Sequence, residues 1–278
     1  MSEERRRELG DNDFPIEQHL QEAFESTMEE GAERLQRTFR AVVITGLFGG
    51  MEIGLGVMAY LGVLHETDSH LLAGLAFSIG LIAVLLAHSE LFTEDFHMPL
   101  MGLVTRQASI WQLGKLWAGT LVSNLVGAWI FMWLVTQAFP EWHALLEESA
   151  RHFVDAPFSL QTVCLAILGG STMTLMTRMQ KGTTSEIVQV VAAVGGGFLL
   201  AGLQLFHSIL DSLLVFGAML SGADIPVQQW LGWFAYTLVF NMVGGILLVT
   251  ALRIVRTKEL VMHWRRKSPE HPDAPHGG

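Results

Sequence analysis

The chain has 278 residues and a formal net charge of −10; half of its residues are hydrophobic and 16% are charged. These fractions alone are close to those of soluble proteins, but the charges are concentrated in residues 1–40, 137–155 and the segment after Arg253. Between them lie several apolar stretches of about 20 residues, long enough to cross a bilayer. The clustering predicts an integral membrane protein, excludes a soluble globular domain and indicates no nucleic-acid partner.

The N-terminal 40 residues form a distinct polar segment. Residues 1–13 are charged, contain few apolar groups and are predicted to be disordered. Over residues 14–40, apolar side chains recur mostly at every fourth position, which predicts an amphipathic helix leading into the membrane. This helix lies on the membrane surface or packs on a neighbouring subunit, and the pattern does not decide between the two. No apolar core of a cleavable signal peptide is visible, so the first membrane helix is expected to direct insertion.

Six apolar segments are predicted to form a channel domain over residues 41–255. They are 41–64, 71–86 continued by 99–104, 111–135, 158–176, 187–220 and 230–252. Residues 137–157 are expected to form a loop and residues 256–278 a tail. The single cysteine, Cys164, excludes an intrachain disulfide and is expected to be a small buried residue in the fourth segment.

Basic residues set the expected orientation of the segments. Of the 17 Lys and Arg residues, only Arg151 falls in the loops on one side; all the others lie in the two termini and in the segments 106–115 and 178–181. Basic residues accumulate on the cytoplasmic side of membrane proteins. We therefore expect a multi-pass protein of the cell inner (plasma) membrane with both termini in the cytoplasm.

The second apolar segment is interrupted by the stretch 85–100, LLAHSELFTEDFHMPL, which carries polar and ionisable side chains. Polar groups at membrane depth are tolerated where they are buried in protein or line an aqueous path. We therefore predict a broken membrane helix here. A second interruption, Leu205-Phe206-His207, occurs in the fifth segment. Paired interruptions in two halves of a chain are typical of a transport pathway at the repeat interface.

The two halves of the chain share short motifs at similar separations. Gly49-Gly50 recurs as Gly169-Gly170, Leu91-Phe92 as Leu205-Phe206, and Asn124-x-Val-Gly as Asn241-x-Val-Gly, at separations of 120, 114 and 117 residues. Because each half contains an odd number of membrane segments, the two repeats must have inverted orientations.

Together these motifs resemble the formate/nitrite transporter family. The resemblance covers roughly residues 40–255 and rests on FSIGL at 77–81, ELFT at 90–93, NLVG at 124–127, HS at 207–208 and NMVGG at 241–245. It implies an all-α integral membrane protein with an aquaporin-like fold, in which six helices form an inverted repeat and the second and fifth helices are broken. It also implies a homopentamer with one pore per subunit, crossed by small monovalent anions or their acids.

The resemblance implies pore roles for individual residues of this chain. His207 resembles the central pore histidine, and Thr93 resembles the threonine on the broken second helix that faces it. The other implied lining residues are apolar: Leu91 and Phe92 at the cytoplasmic constriction, and Phe77, Leu81 and Leu200 at the collars.

Several positions depart from the family pattern by adding or removing ionisable groups. His88 is an extra ionisable group beside the broken helix, where it either lines the pore or bonds Glu52 or Glu90 as packing. Phe206 replaces an acid before the central histidine, and Asp211 replaces an asparagine after it and becomes a further pore candidate. Glu52 stands where the pattern is apolar and is assigned a structural role.

Breaking a helix in lipid frees backbone groups that need partners. Glu90 is expected to hold the free N–H groups of the first break, and Asn124 and Asn241 to do likewise for the opposite loops. Two alternatives stay open for the pore candidates. Thr93 could cap the short helix that follows, and His207 could satisfy helix–helix contacts instead of a solute.

An apolar constriction around one histidine favours passage of a weak acid. A bare anion loses its hydration in such a collar at a large free-energy cost, whereas the neutral acid does not. Histidine titrates near neutral pH and can supply or take the proton. We therefore expect a channel or secondary transporter for small monovalent anions or their weak acids, such as formate- or nitrite-like monocarboxylates, that is proton-linked through His207.

Other functions remain as alternatives. A neutral-solute or water pore on the same scaffold is the nearest, because the departures add the acids Asp211 and Glu52, and the outer segment before the fourth apolar segment has no lysine where the family pattern would supply one. A non-conducting membrane scaffold is another. A metalloenzyme built on His88, His97, His207 and Glu90 lacks paired histidines four residues apart on one helix. The chain is therefore expected to be no enzyme and to need no metal or cofactor, with a small-molecule substrate and the lipid bilayer as its partners.

Overall fold

The computed structural model describes residues 18–267, and the regular secondary structure in this range is entirely helical. The prediction for residues 1–13, the start of the amphipathic helix and the end of the tail lie outside the described residues. The helices, in chain order, are α1 Gln18–Gln36, α2 Phe39–Thr67, α3 His70–Ala87, α4 Met98–Val104, α5 Ile110–Ala138, α6 His143–Val154, α7 Leu160–Lys181, α8 Glu186–Gly202, α9 Ser208–Leu220, α10 Val227–Met242, a π-helical stretch Val243–Ala251, α11 Leu252–Arg256 and α12 Lys258–Lys267.

Six crossings of the membrane can be traced through these helices. Five are long, apolar helices: α2, α3, α5, α7 and the continuous helix Val227–Arg256 that joins α10 to α11. The remaining crossing consists of the shorter apolar helices α8 and α9, which are separated by a break at 203–207. A break at 88–97 likewise separates α3 from α4. The predicted all-α fold with broken second and fifth helices is confirmed.

Each half packs its helices closely around its own break. In the first half α2 packs on α3 and α5; in the second half α7 packs on α8 and on the last membrane helix; α3 and α8 join the two halves. A side chain on Gly50 would meet the carbonyl oxygen of Asn124, and one on Gly170 would meet the carbonyl oxygen of Asn241. Small residues allow membrane helices to approach this closely. The two glycine pairs therefore occupy equivalent places in the repeat.

The N-terminal amphipathic helix is shorter than predicted. α1 ends at Gln36, and Thr38 caps the separate helix α2 by accepting the Ala41 N–H at 3.3 Å. α1 packs on α4 of the same chain, a partner that neither predicted alternative included. A small core joins the two helices to α12 and comprises Phe24, Met101, Leu260 and Val261. We call the end of the bundle that carries α1, α4 and α12 the terminal face, and the opposite end, which carries α6, the α6 face.

Two local predictions are wrong. Residues 137–157 are not a plain loop, because α6 forms there and packs on α9 through an apolar stripe that includes Leu146, Ala150 and Phe153. The apolar residues of this segment recur with the period of a helix, but the charged residues between them led to the prediction of a loop. Cys164, expected to be buried, is exposed on α7. In a membrane helix, apolar residues face lipid as well as the core, so an apolar neighbourhood does not predict burial.

Candidate transport site

The second break fixes the position of His207 at the start of α9. The Nδ1 atom of His207 accepts the Leu210 N–H at 3.1 Å, and the His207 N–H donates to Oδ2 of Asp211 at 2.7 Å. Both bonds satisfy backbone donors that the first turn of a helix leaves free. Because Nδ1 accepts a hydrogen bond, the proton of a neutral ring lies on Nε2. The ring is thus held with an N–H group directed away from its own helix.

That N–H group meets the first break. Nε2 of His207 lies 3.0 Å from Oγ1 of Thr93, which belongs to the short turn Phe92–Glu94. Both side chains are buried in the centre of the bundle. With the proton on Nε2, the imidazole donates and the threonine hydroxyl accepts. The structure therefore brings together the two polar residues for which the sequence implied a central pore role.

Asn124 of α5 holds the first break through three hydrogen bonds. Its Nδ2 donates to the carbonyl oxygens of Gly46 and Glu90 at 2.8 and 2.9 Å, and its Oδ1 accepts the Phe92 N–H at 2.8 Å. Glu90 and Phe92 belong to the break itself, and Gly46 belongs to the part of α2 that packs beside it. One buried amide thus replaces hydrogen bonds that a continuous helix would have made.

Asn241 makes the same three bonds in the second half. Its Nδ2 donates to the carbonyl oxygens of Ala166 and Phe206 at 2.7 and 2.9 Å, and its Oδ1 accepts the Ser208 N–H at 2.9 Å. These bonds pair Phe206 with Glu90 across the repeat. The predicted pairing of Leu91-Phe92 with Leu205-Phe206 is therefore wrong by two residues. Residues of the two halves are equivalent when they make the same hydrogen bonds, and the similar Leu-Phe sequences do not.

The Glu90 side chain has a different role from the expected one. Its carboxylate accepts from Arg37 Nη1 at 2.7 Å and from Thr45 Oγ1 at 3.1 Å. The expectation that it would take the free N–H groups of the break is wrong, because the Asn124 amide already binds the Phe92 N–H. Glu90 instead connects the first break to the segment between α1 and α2.

A second arginine ties α1 to the same break. Arg34 donates to Oδ1 of Asp95 at 3.2 Å and to Oε1 of Glu30 at 2.9 Å, and Glu30 also pairs with Lys181 of α7. Burial alone would raise the pKa of Glu30, but Arg34 and Lys181 outweigh it and hold that pKa below its ordinary value. Burial opposes the charge of Arg34, yet Asp95 and Glu90 raise its pKa above the ordinary value. Arg34 is therefore charged at every working pH.

On the terminal face, α1, the end of α3 and α7 enclose a cavity of about 280 Å³. Its lining combines cations and acids, among them Arg34, Lys181 and Glu94. His88 also lines it, as the exposed residue that ends α3 in a left-handed conformation with φ of 54°. Glu52 receives its hydrogen bond from the Ser89 hydroxyl at 3.0 Å.

On the α6 side of His207, a much smaller cavity of about 10 Å³ has room for about one water molecule. It is lined by Phe77 and Leu200, two of the expected collar residues, and by Tyr60 and Asp211. A solute that entered this cavity would have to shed its water. The described conformation is therefore closely packed on this side of the histidine.

Five expected lining residues line neither of these cavities: His207 and Thr93, which contact each other, and Leu81, Leu91 and Phe92. Leu81 and Leu91 are buried in the main apolar core. The Phe92 ring packs edge-on against Phe96 and Trp117, with ring centres 5.1 and 6.2 Å away. These contacts make Phe92 part of an aromatic cluster under α4.

Sequence reasoning missed three residues that surround the site: Arg34, Arg37 and Tyr60. The two arginines lie at the end of an amphipathic helix, and the first break carries several acids. This opposite charge of the two segments was the signal that could have identified the arginines. Tyr60 gave no signal of its own; its hydroxyl lies 2.8 Å from Nδ1 of His70. Within residues 18–267, no group of three histidine, cysteine or carboxylate residues forms a metal-binding arrangement.

Comparison with known proteins places these features in context. The sequence model of the formate/nitrite transporter family matches residues 21–255. The chain is 28% identical over 144 residues to "Formate channel FocA" of Escherichia coli strain K12, an alignment that covers 48% of each chain. In the curated relatives that it matches first, the alignments span between 42% and 48% of those proteins' length.

Two solved structures share the fold. An "FNT family ion channel" superposes with a TM-score of 0.73 at 16% identity, covering 82% of this chain and 96% of that one. A "Pentameric formate channel with formate bound" superposes with a TM-score of 0.58 at 21% identity, covering 81% and 95% of the two chains. At these identities the similarity shows a common fold.

Proposed function

The chain belongs to the formate/nitrite transporter family, and on this basis we propose that it is a membrane channel or secondary transporter for small monovalent anions or their weak acids. The substrate class is that of formate- or nitrite-like monocarboxylates. The proposal includes a homopentamer with one pore per subunit, in the inner membrane with both termini in the cytoplasm. Its support is the family match, the relatives named as formate channels and the basic residues concentrated at the terminal face.

The observation that carries the proposal is the 3.0 Å contact between Nε2 of His207 and Oγ1 of Thr93. The contact joins an N–H group at the second break to a hydroxyl at the first, and the proposed path runs past it from the terminal-face cavity to the apolar collar of Phe77 and Leu200. A small anion that displaced this mutual bond would find two hydrogen-bond donors in place of the water it had lost.

The collar accounts for the proposed proton linkage. A charged anion leaving the histidine towards Phe77 and Leu200 loses its remaining hydration, whereas the neutral acid crosses at lower free energy. His207 is the titratable group in contact with Thr93 at this position and supplies or takes the proton. The neutral ring, with its proton on Nε2, donates a hydrogen bond to the solute while Nδ1 accepts the Leu210 N–H. To supply a proton, the ring must first become an imidazolium by taking a proton on Nδ1, which breaks the Leu210 bond. The imidazolium then passes its Nε2 proton to the anion and returns to the neutral state.

A neutral-solute pore is the second candidate, and a specific observation favours it. The path carries the acids Asp211 and Glu94 near its two cavities, while Arg34 and Lys181 are already paired with carboxylates. Acids along a path oppose an anion by charge repulsion. A neutral solute would not feel that repulsion.

The experiment that tests the proposal is flux into proteoliposomes of formate, nitrite, acetate and water at about pH 5 and about pH 7.5, on either side of the ordinary histidine pKa. We expect acid flux to be several-fold faster at the lower pH in the wild type and His207→Ala to lose that dependence. Thr93→Val should lower the flux at both pH values. His65→Ala is the matched control, because this exposed histidine lines neither cavity and its loss should leave the wild-type pH profile.

The opposite outcome would be transport of water without any anion, equal in the wild type and in His207→Ala. That result would establish the neutral-solute pore and reject the weak-acid proposal. The absence of any flux across the panel would favour a non-conducting scaffold. Light scattering of the purified protein in detergent tests the pentamer separately, since a pore could conduct in another oligomeric state.

A further inference from the structure

The last membrane helix ends in a concentration of positive charge on the terminal face. Residues 253–267 contain six Lys or Arg residues and one acid, Glu259. None of these residues lines either of the two cavities described above. Clusters of this size directly after a membrane helix are the usual footprint of an interaction with negatively charged lipid.

The fold places α12 at the membrane boundary. The chain turns at Thr257, and α12 buries Leu260 and Val261 in the small core that it shares with α1 and α4. The Nε atom of Arg265 donates to the carbonyl oxygen of Val104, the last residue of α4, at 2.7 Å. α12 is therefore fixed at the depth where both α4 and the last membrane helix end.

Apolar and basic side chains are layered across this boundary. Leu252 and Val255, on the final turn of the membrane helix, are 64% and 72% exposed. Just beyond them Arg256, Lys258 and Arg266 are exposed as well. A phospholipid presents the same order of chemistry, with acyl chains below and a phosphate above. The layering therefore fits a lipid better than a soluble anion, which would need no apolar surface.

Positive charges from a second helix add to this surface. Arg253 of α11 lies near enough to Arg178 of α7 and to Arg256 to be repelled electrostatically by both. Arg253 is also buried in the protein, where such repulsion is screened less than in water. Arg178 therefore brings the charge of a second helix to the basic end of α11, where Arg256 and Lys258 are exposed.

We propose that the terminal basic patch, defined as Arg178, Arg256, Lys258 and Arg266, binds the phosphate headgroup of an anionic membrane phospholipid. The acyl chains lie along Leu252 and Val255. Each cation near the surface of an anionic membrane strengthens such an association on the order of fivefold. The site is independent of the proposed transport function and can be tested without measuring flux.

The test uses the full chain in vesicles that contain equal amounts of phosphatidylcholine and phosphatidylglycerol, with bromine on the acyl chains of one lipid or the other. Bromine quenches nearby tryptophan fluorescence, and Trp264 of α12 lies next to the patch. The Trp264 contribution is the difference between the wild type and Trp264→Phe. We expect it to be quenched several-fold more by brominated phosphatidylglycerol than by brominated phosphatidylcholine.

Removing the exposed charges tests the residues themselves. The variant Arg256→Gln/Lys258→Gln/Arg266→Gln keeps Arg265 and its bond to α4, and we expect it to lose the preference for phosphatidylglycerol. The matched control is Glu29→Gln/Glu33→Gln, which neutralises exposed acids on α1 at the same face and should keep the preference. Should the triple variant fail to fold, salt titration of the wild type gives the same information, because raised salt weakens an electrostatic preference.

Two results would overturn the proposal. Equal quenching by the two lipids in the wild type would show that no anionic lipid is selected. Persistence of the preference in the folded triple variant would show that other residues select it. A soluble source of phosphate is separated by adding inorganic phosphate against chloride at equal ionic strength. If only phosphate abolished the preference, the patch would be a site for free phosphate, and the lipid assignment would be rejected.

Discussion

The two breaks have the same backbone frame and different surroundings. Each is held by one buried asparagine that makes the same three hydrogen bonds. The second break is completed from within its own helix, since His207 and Asp211 bond the first turn of α9. The first break is completed from outside, since Arg34 and Arg37 bind its carboxylates Asp95 and Glu90.

This difference shows which parts of a repeat are constrained. A helix broken in lipid must satisfy its free backbone groups, whatever its function, so both halves keep the asparagine contacts. Side chains that do not serve the backbone are free to diverge. The second break has a histidine that contacts Thr93 of the first break, and the first has acids that attach it to α1.

The largest expected effect tests the common frame. Asn124→Ala and Asn241→Ala each leave two carbonyl groups and one N–H group without their partner, at a cost of about 3 kcal/mol or more. We expect both variants to lose similar stability in thermal unfolding of the purified protein in detergent. Val126→Ala, on the exposed side of α5, is the control and should change little. If only one asparagine proved essential, the two frames would not be equivalent.

The next effect is specific to the first break. Arg34→Met leaves the buried Asp95 carboxylate without its cation, which typically destabilises by about 3 kcal/mol. Asp95→Asn in the same chain removes the unpaired charge, so the double variant should be more stable than Arg34→Met alone. Unfolding of the two single variants and the double variant measures this coupling. Additive losses would show that the pair does not connect α1 to the break.

A smaller effect belongs to the second break. Asp211→Ala removes the acceptor of the His207 N–H, and we expect a loss of about 1–2 kcal/mol. Asp211→Asn keeps an oxygen acceptor and should lose about half as much. Because the bond positions His207, flux should fall in the same order, with Asp211→Asn retaining the pH dependence. Equal stability and flux in all three proteins would show that Asp211 does not position the histidine.

The smallest effect is a pH dependence of the α1 attachment. The pKa of Glu30 lies below its ordinary value of 4.5, so its carboxylate contributes stability above about pH 4.5 that is lost as the pH falls further. The group is partly exposed, and we expect under about 1 kcal/mol. The unfolding temperature of Glu30→Gln should therefore change less between pH 6 and pH 3.5 than that of the wild type. Glu29→Gln, on the exposed side of α1, should not.

Several features followed from local sequence alone. The six crossings and both breaks were predictable because hydropathy and interrupting polar residues act over a few turns of one helix. The two asparagines were recognisable as partners of free backbone groups, since a buried amide in an apolar helix needs hydrogen bonds. They were assigned to the opposite loops, whereas each one holds the break of its own half. The role of Glu90 was not recognisable, because an acid beside a break can bind either N–H groups or a cation.

Other features were decided only by the tertiary structure. The predicted alignment of the two halves was wrong by two residues, because the two Leu-Phe pairs occupy non-equivalent positions in the repeat. The ion pair of Arg34 with Asp95 depends on how α1 packs against the first break, and the local sequence of α1 does not specify that packing. The contact of His207 with Thr93 joins residues 114 positions apart. Sequence determines which segments enter the membrane and where they break, because these are short-range properties; packing alone determines which side chains meet between the breaks.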